Sequence, residues 1–325
     1  MNILVTGGAG YIGSITVEKL CDGKNNVIVV DTLEEGFRDA VHPKATFIKG
    51  NFGDEQLLNE LFKKFKIEVV IHFAAYASVP LSMEKPAVFF ENNIKNSIVL
   101  LNAMVENNCD KMIFSSSAAT YGNPVEIPMT ENHPQIPINP YGESKLMFEK
   151  ILKWYNYAYN LKFNAFRYFC AAGASEKYGE NHPNESHLIP LTLFTALGRR
   201  EKLFVFGDDY DTKDGSGVRD FIHVSDIADA HIMALDNLDN HPNSIYNLGC
   251  NEGFSVFEVI KAVERITGKK VNYEVVERRK GDPASLIASN TLAKKDLGWR
   301  PLYGLDDMIS SAFKWFNLHP NGYKK

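Results

Sequence analysis

No apolar stretch reaches the roughly eighteen residues that a bilayer span needs, so a membrane-spanning helix is not expected. No long run of Lys or Arg is present, and 35 basic residues stand against 40 acidic ones, a formal net charge of −5. That balance argues against nucleic acid as the main partner, and it leaves room for a local basic pocket that holds a phosphate ester. Cysteine is scarce: Cys21, Cys109, Cys170 and Cys250 are scattered and form no CxxC pair. The pattern suits reduced thiols in a cytoplasmic enzyme better than a disulfide framework or a zinc site, and no metal is expected. The opening Asn2-Ile3-Leu4-Val5-Thr6 reads as a strand, without a charged leader or a small-residue cleavage site, so no signal peptide is expected. Internal repeats and low-complexity tracts are missing as well.

What is there is a chain of 325 residues, 45% apolar, enough for a sizeable core. Up to about residue 168, short β-branched runs alternate with helical patterns. Strands are expected at Ile3–Thr6, Val27–Asp31, Thr46–Lys49, Val69–Phe73, Met112–Ser116 and Asn164–Tyr168. Helices are expected at Ile12–Cys21, Glu55–Phe65 and Ser144–Tyr159. This rhythm predicts an α/β fold, a Rossmann-type doubly wound parallel sheet. After Phe169 the elements shorten, and Gly, Pro, Asn and His gather from Gly173 to Pro190. The expected division is therefore 1–170 for a dinucleotide and 171–325, a smaller mixed α/β part, mainly for substrate. Some chain should cross back to the first part, and loops 207–217 and 278–286 should close over a cleft.

The first strand runs into Gly7-Gly-Ala-Gly10-Tyr-Ile-Gly13. Glycines at these places permit a tight turn, let backbone approach a pyrophosphate and allow close helix–strand packing, with the helix N-terminus facing the negative charge. Asp31, at the end of the second strand, can accept hydrogen bonds from the ribose hydroxyls of an adenosine and would repel a 2′-phosphate. NAD is thus expected rather than NADP.

Tyr141-Gly-Glu-Ser-Lys145 places a phenol and an ammonium on one helix face. A Lys one turn away favours phenolate and would lower the tyrosine pKa, making Tyr141 a plausible general base. Ser115-Ser116-Ser117 lies at a strand end, where the active crevice of an open α/β sheet is found.

With these motifs the chain resembles the extended short-chain dehydrogenases/reductases, and among them the UDP-glucose 4-epimerases, nearly end to end. The shared stretches include Val5–Ser14, Ile71–Ala75, Ser82–Pro86, Ile113–Ser117, Tyr141–Lys145 and Phe166–Phe169. They continue through Phe206–Tyr210, Gly217–Val224, Tyr246–Gly249 and Arg278–Pro283. The resemblance implies reversible 4-epimerisation of UDP-galactose and UDP-glucose through a 4-keto sugar, with tightly held NAD. It implies a catalytic set of Ser117, Tyr141 and Lys145. It implies NAD contacts at Gly7, Gly10, Tyr11, Ile12, Gly13, Asp31, Thr32, Asn51, Phe52, Phe73, Ala74, Ala75, Asn93, Ser115, Tyr141, Lys145, Tyr168 and Phe169. The UDP-sugar would meet Ser117, Cys170, His187, Leu188, Phe204, Phe206, Arg219, Arg279, Asp282 and Leu286. Arg suits a diphosphate because its fork makes two charge-assisted hydrogen bonds.

Three positions depart from the family pattern: Cys170 stands for an Asn that contacts substrate, Asn51 for an Asp beside the adenine, and Ala77 for a Lys of some members. Related dehydratases carry Asp-Glu after the strand-end hydroxyl for elimination, whereas here Ala118-Ala119-Thr120 follows. Hydride transfer without further bond breaking is the expected chemistry. The competing readings are a 4-epimerase for another UDP-sugar, an N-acetylhexosamine or a pentose, and a non-catalytic NAD-binding regulator. Leu286 and Cys170, smaller than the usual Tyr and Asn, imply a permissive sugar pocket. A homodimer is expected, as in relatives, through the helices holding Ile94, Ile98, Leu101 and Val105 and Leu146, Met147, Ile151, Trp154 and Tyr155.

Overall fold

The early strands are β1 (Asn2–Thr6), β2 (Asn26–Asp31), β3 (Thr46–Lys49), β4 (Val69–His72), β5 (Lys111–Ser117) and β6 (Lys162–Tyr168). The later ones are β7 (Cys170–Ala172), β8 (Leu203–Phe206), β9 (Val218–Arg219), β10 (Phe221–His223), β11 (Ser244–Leu248), β12 (Phe254–Ser255), β13 (Tyr273–Val276) and β14 (Ser285–Leu286). The computed structural model describes residues 1–279 and 281–324. Lys280, inside the Arg278–Pro283 stretch, therefore lies outside the described residues.

Seven strands form one parallel sheet in the order β11-β6-β5-β4-β1-β2-β3. Both faces are covered, so the strands are apolar on both sides. Ile3, Val5, Val27, Val29, Val69 and Ile71 bury on one face. Leu4, Ile28, Val30 and Val70, one residue out of phase, bury on the other. The expectation of a Rossmann-type sheet holds, and β11 crosses back from the C-terminal half to its edge beside β6.

The helices are α1 (Tyr11–Asp22), α2 (Glu55–Phe65), α3 (Val79–Glu84), α4 (Pro86–Phe90), α5 (Asn96–Glu106), α6 (Pro140–Tyr159), α7 (Leu188–Ala196), α8 (Val224–Asn237), α9 (Val256–Thr267), α10 (Thr291–Leu297) and α11 (Leu305–Leu318). α6 starts where it does for a local reason. Pro140 pre-sets the first helical residue, and the Asn139 side chain accepts the Gly142 N–H at 2.8 Å. A third core joins α7, α9 and α11, with Ile189, Leu193, Val259, Ile260, Met308 and Trp315 at its centre. Among the described residues no helix is long and apolar enough to cross a membrane.

Candidate active site

A cleft of about 520 Å³ opens at the carboxyl ends of the central strands. It sits where strand order reverses between β1 and β4, the place where open α/β sheets bind ligands. Gly7 turns the chain from β1 with φ +74°, and a Cβ there would lie 2.5 Å from the Ala74 nitrogen. A Cβ on Gly13 would strike the Gly7 carbonyl oxygen at 2.2 Å. Gly10 differs. Its Cβ would meet only the Gly7 oxygen, at 3.4 Å, so the missing side chain opens space toward the cleft and is not demanded by packing. No side chain caps the start of α1, and no acid stands in its first turn. Its first amides are free to meet an anion, and the cradle fits a dinucleotide pyrophosphate.

Asp31 closes this end. Its Oδ2 accepts the Ala9 N–H at 3.0 Å and its Oδ1 the Leu33 N–H at 2.9 Å. Burial pushes its carboxyl above the ordinary value, and these two bonds only partly offset that. Glu34 and Glu35 line the same wall. Three carboxylates there oppose a 2′-phosphate and fit the unphosphorylated ribose of NAD.

At the other end Tyr141, Lys145, Ser115 and Ser117 share the cleft wall. Gly142 allows it: a Cβ there would sit 2.3 Å from the Ala119 carbonyl oxygen, so only glycine lets α6 lie this close to the turn after Ser117. Lys145 is buried and its Nζ donates to the Ser115 carbonyl at 2.7 Å. Burial lowers its pKa to about 7, although Glu149 one turn on acts to raise it. Burial also raises the Tyr141 phenol, and the hydrogen bond to Ser117 pulls it the other way. The structure thus corrects the expectation that Lys145 lowers the tyrosine. The lysine is itself desolvated, and burial of the phenol acts against the phenolate. Behind this pair Glu149 receives Arg167 through Nε at 3.0 Å and Nη2 at 2.6 Å, and Ser116 Oγ at 2.5 Å.

Of the positions expected at the cofactor, Gly7, Gly10, Tyr11, Ile12, Gly13, Asp31, Thr32, Asn51, Phe52, Phe73, Ala74, Ala75, Ser115, Tyr168 and Phe169 all line the cleft. Asn93 does not. It is buried behind the wall, with its Oδ1 accepting the Tyr76 N–H at 2.9 Å and its Nδ2 donating to the Ser144 hydroxyl at 3.1 Å. It shapes the wall through residue 76.

The substrate positions divide. Ser117, Cys170 and His187 line the cleft. Burial raises the Cys170 thiol to about 11, which keeps it neutral. Leu188, Phe204, Phe206, Arg219, Arg279, Asp282 and Leu286 do not line it. Arg219 Nη2 pairs with Asp282 at 3.1 Å, and its Nη1 donates to the Val218 and Pro283 carbonyls. The Arg279 guanidinium lies 3.9 Å above the Phe206 ring. Phe204 has the Lys202 Nζ 5.4 Å above its ring. Leu286 packs in an apolar cluster with Tyr121, Met129, Phe169 and Ala288. Leu188 begins α7 and packs on the third core.

Several cleft residues carry no motif that would reveal them: Glu34, Glu35, Gly36, Phe37, Tyr76, Glu180, His182 and Tyr323. The acidic pair after Asp31 was the one readable signal. Tyr11 ties the two halves of this wall, since its hydroxyl donates to the Gly173 carbonyl at 2.6 Å.

A sequence profile described as the NAD dependent epimerase/dehydratase family matches residues 3–249. The chain is 48% identical to a UDP-glucose 4-epimerase of Streptococcus mutans, over 99% of this chain and 99% of that one. A crystal structure of a UDP-glucose 4-epimerase superposes with a TM-score of 0.98 at 47% identity, covering 100% of both chains. The Bifidobacterium longum UDP-glucose 4-epimerase in complex with NAD+ and UDP gives a TM-score of 0.94 at 39% identity, covering 99% of this chain and 100% of that one.

Proposed function

The chain belongs to the NAD dependent epimerase/dehydratase family, and we infer that it interconverts UDP-glucose and UDP-galactose by inverting C4 with NAD as cofactor. One observation carries the reading. A single cleft holds the uncapped start of α1, the Asp31 carboxylate and the Ser117–Tyr141–Lys145 group, and no carboxyl acid–base pair follows Ser117.

Bound NAD supplies reversible hydride uptake at C4 and a cationic ring that favours phenolate at Tyr141. Gly7, Gly10, Gly13 and the first amides of α1 would hold its pyrophosphate, and Asp31 would hold its adenosine ribose. Tyr141 Oη takes the proton of the sugar 4-hydroxyl and later returns it. Ser117 Oγ steadies the same oxygen. Lys145 stays near the phenol, fixed by the Ser115 carbonyl. Arg219, Arg279 and Asp282 hold the UDP part, so that the 4-keto sugar can turn and present its other face without leaving. In this assignment residues 1–170 serve the cofactor and 171–325 mainly the nucleotide sugar.

Cys170, a small side chain on the cleft wall, supports a permissive sugar pocket, whereas Leu286 packs in an apolar cluster off that wall. UDP-galactose is the better substrate and UDP-N-acetylgalactosamine is turned over measurably. A homodimer fits the surface of α6, where Trp154 is 70% and Tyr157 83% exposed. Leu101 of the expected stripes packs instead into its own core, and Leu146 is buried within the chain itself. Sedimentation at micromolar concentration tests the dimer, and a monomer refutes it. The function is tested by denaturing the purified protein to release NAD, measured by absorbance. Conversion of UDP-galactose to UDP-glucose is then followed with a coupled dehydrogenase. NAD present without any conversion would leave only a regulator.

A further inference from the structure

Tyr141, Lys145 and Glu149 follow one another at four-residue spacing and share one face of α6. The first two line the cleft and Glu149 does not. It forms a buried ion pair with Arg167, and each of the two side chains is 1% exposed. Glu149 Oε1 accepts the Ser116 hydroxyl at 2.5 Å and Arg167 Nε at 3.0 Å, and its Oε2 accepts Arg167 Nη2 at 2.6 Å. Ser116 and Arg167 are cross-strand partners in β5 and β6, and Arg167 is also the partner of Asn247 in β11. The three residues stand in one row across the sheet. The far end of the row is closed by Tyr121, whose ring lies 4.7 Å below the Arg167 guanidinium and whose hydroxyl donates to Asn247 Oδ1 at 2.6 Å.

Given the 4-epimerase reading above, we propose that Glu149 and Arg167 are positioning residues: through Ser116 they fix β5 against α6, so that Ser117 and Tyr141 address the same substrate oxygen. The strand end and the helix are joined at two polar points. Lys145 Nζ takes the Ser115 carbonyl at 2.7 Å, and Glu149 takes the hydroxyl of the next residue. A single link would let the strand end pivot about the lysine, whereas two links on successive residues fix its rotation as well. Ser117 comes next along β5, and its hydrogen bond to Tyr141 spans the same pair of elements. A slip of about 1 Å between them is enough to cost about 100-fold in rate.

The choice of residues agrees. A buried ion pair adds little stability beyond what apolar side chains of equal volume supply, so stability alone does not call for one here. An apolar pair cannot hold the Ser116 hydroxyl. Arg167 engages both carboxylate oxygens through its planar fork, which sets the plane in which Glu149 meets Ser116.

The test compares full-length, NAD-loaded variants with the parent. Circular dichroism, melting temperature and NAD content report the fold, and kcat and KM for UDP-galactose report the reaction. Removing one charge would strand the other, so both are replaced. Glu149→Leu with Arg167→Met is expected to keep NAD and the parent KM and to lose about 100-fold in kcat. Glu149→Gln with Arg167→Met returns an uncharged acceptor to Ser116 and is expected to recover about 10-fold of that loss, the worth of one buried hydrogen bond. Ser116→Ala leaves the ion pair whole. It is expected to melt with the parent and to turn over about 10-fold more slowly. Should the Leu/Met variant fail to fold, Ser116→Ala decides the matter. A parent-like kcat in the folded Leu/Met variant or in Ser116→Ala overturns the proposal and leaves the pair a structural brace. So does a loss confined to KM. A parent protein that converts no UDP-sugar refutes the 4-epimerase reading itself, and the positioning role falls with it.

Discussion

The two phosphate sites proposed above would hold their anions in opposite ways. At the start of α1 the donors are backbone amides, fixed by the fold and flanked by Asp31, Glu34 and Glu35. In the C-terminal half the proposed donors are guanidinium groups that already have partners: Arg219 pairs with Asp282, and Arg279 lies over the Phe206 ring. Amides that need no rearrangement suit a cofactor that stays. An arginine such as Arg219, which must exchange one anion for another, suits a substrate that comes and goes. The difference teaches that retention and turnover can be divided between backbone and side chain within one active site.

The sharpest way to separate the two functions lies between them. Tyr141→Phe should cut turnover by about 10²–10⁴-fold and leave bound NAD nearly unchanged. Near-normal rates in that variant would remove the phenol from proton transfer. Arg219→Ala should raise KM for the UDP-sugar by about 10–100-fold, the worth of a lost charged hydrogen bond, again with NAD retained. A matching loss of NAD would mean that the guanidinium end also serves the cofactor. Gly10→Ala is the converse. A Cβ there meets only one atom, at 3.4 Å, so the fold should be unharmed while NAD retention falls by about 10-fold. Unchanged NAD content would show that the cradle has room to spare.

The smallest expected effect concerns stability. The Lys145 pKa falls from 10.5 in the free side chain to about 7 in the fold. Between those values the unfolded chain binds the extra proton, so stability rises with pH across that window, and the cost of burying the charge is greatest below it. Lys145→Met should be more stable than the parent at pH 7, by on the order of 1 kcal/mol, and should lose that rise. Urea unfolding at pH 7 and pH 9.5 measures both. A parent protein whose stability is flat between them would mean that water reaches the ammonium.

The same contrast between backbone and side chain governs how much could be read from the sequence. β1 and β2 announce themselves, because strands buried on both faces are continuous apolar runs, while β6 interleaves Asn164 and Arg167 with its apolar residues. Asp31 and Tyr141–Lys145 stand at the strand end and on the helix face where the motif spacing puts them. β7, β9, β12 and β14 have three residues or fewer and carry no period to read. The wall formed by Glu180, His182 and Tyr323 is assembled from distant loops, and no local pattern joins them. Asn93 reads as a contact residue, and in the structure its amide is engaged with residue 76 and Ser144. The Tyr141 phenol departs from what the spacing implies for a related reason. Spacing places a charge nearby, but only burial determines how much of that charge survives.

β11 has a consequence for how the protein comes into being. Its Ser244–Leu248 pairs along β6 from Asn164 to Tyr168. On the ribosome, therefore, the nucleotide-binding sheet cannot be finished when its first six strands have emerged. β6 waits with an open rim of amides and carbonyls while some seventy-five further residues are made. Cutting the gene after residue 170 would make that pause permanent, and the fragment should clump rather than fold.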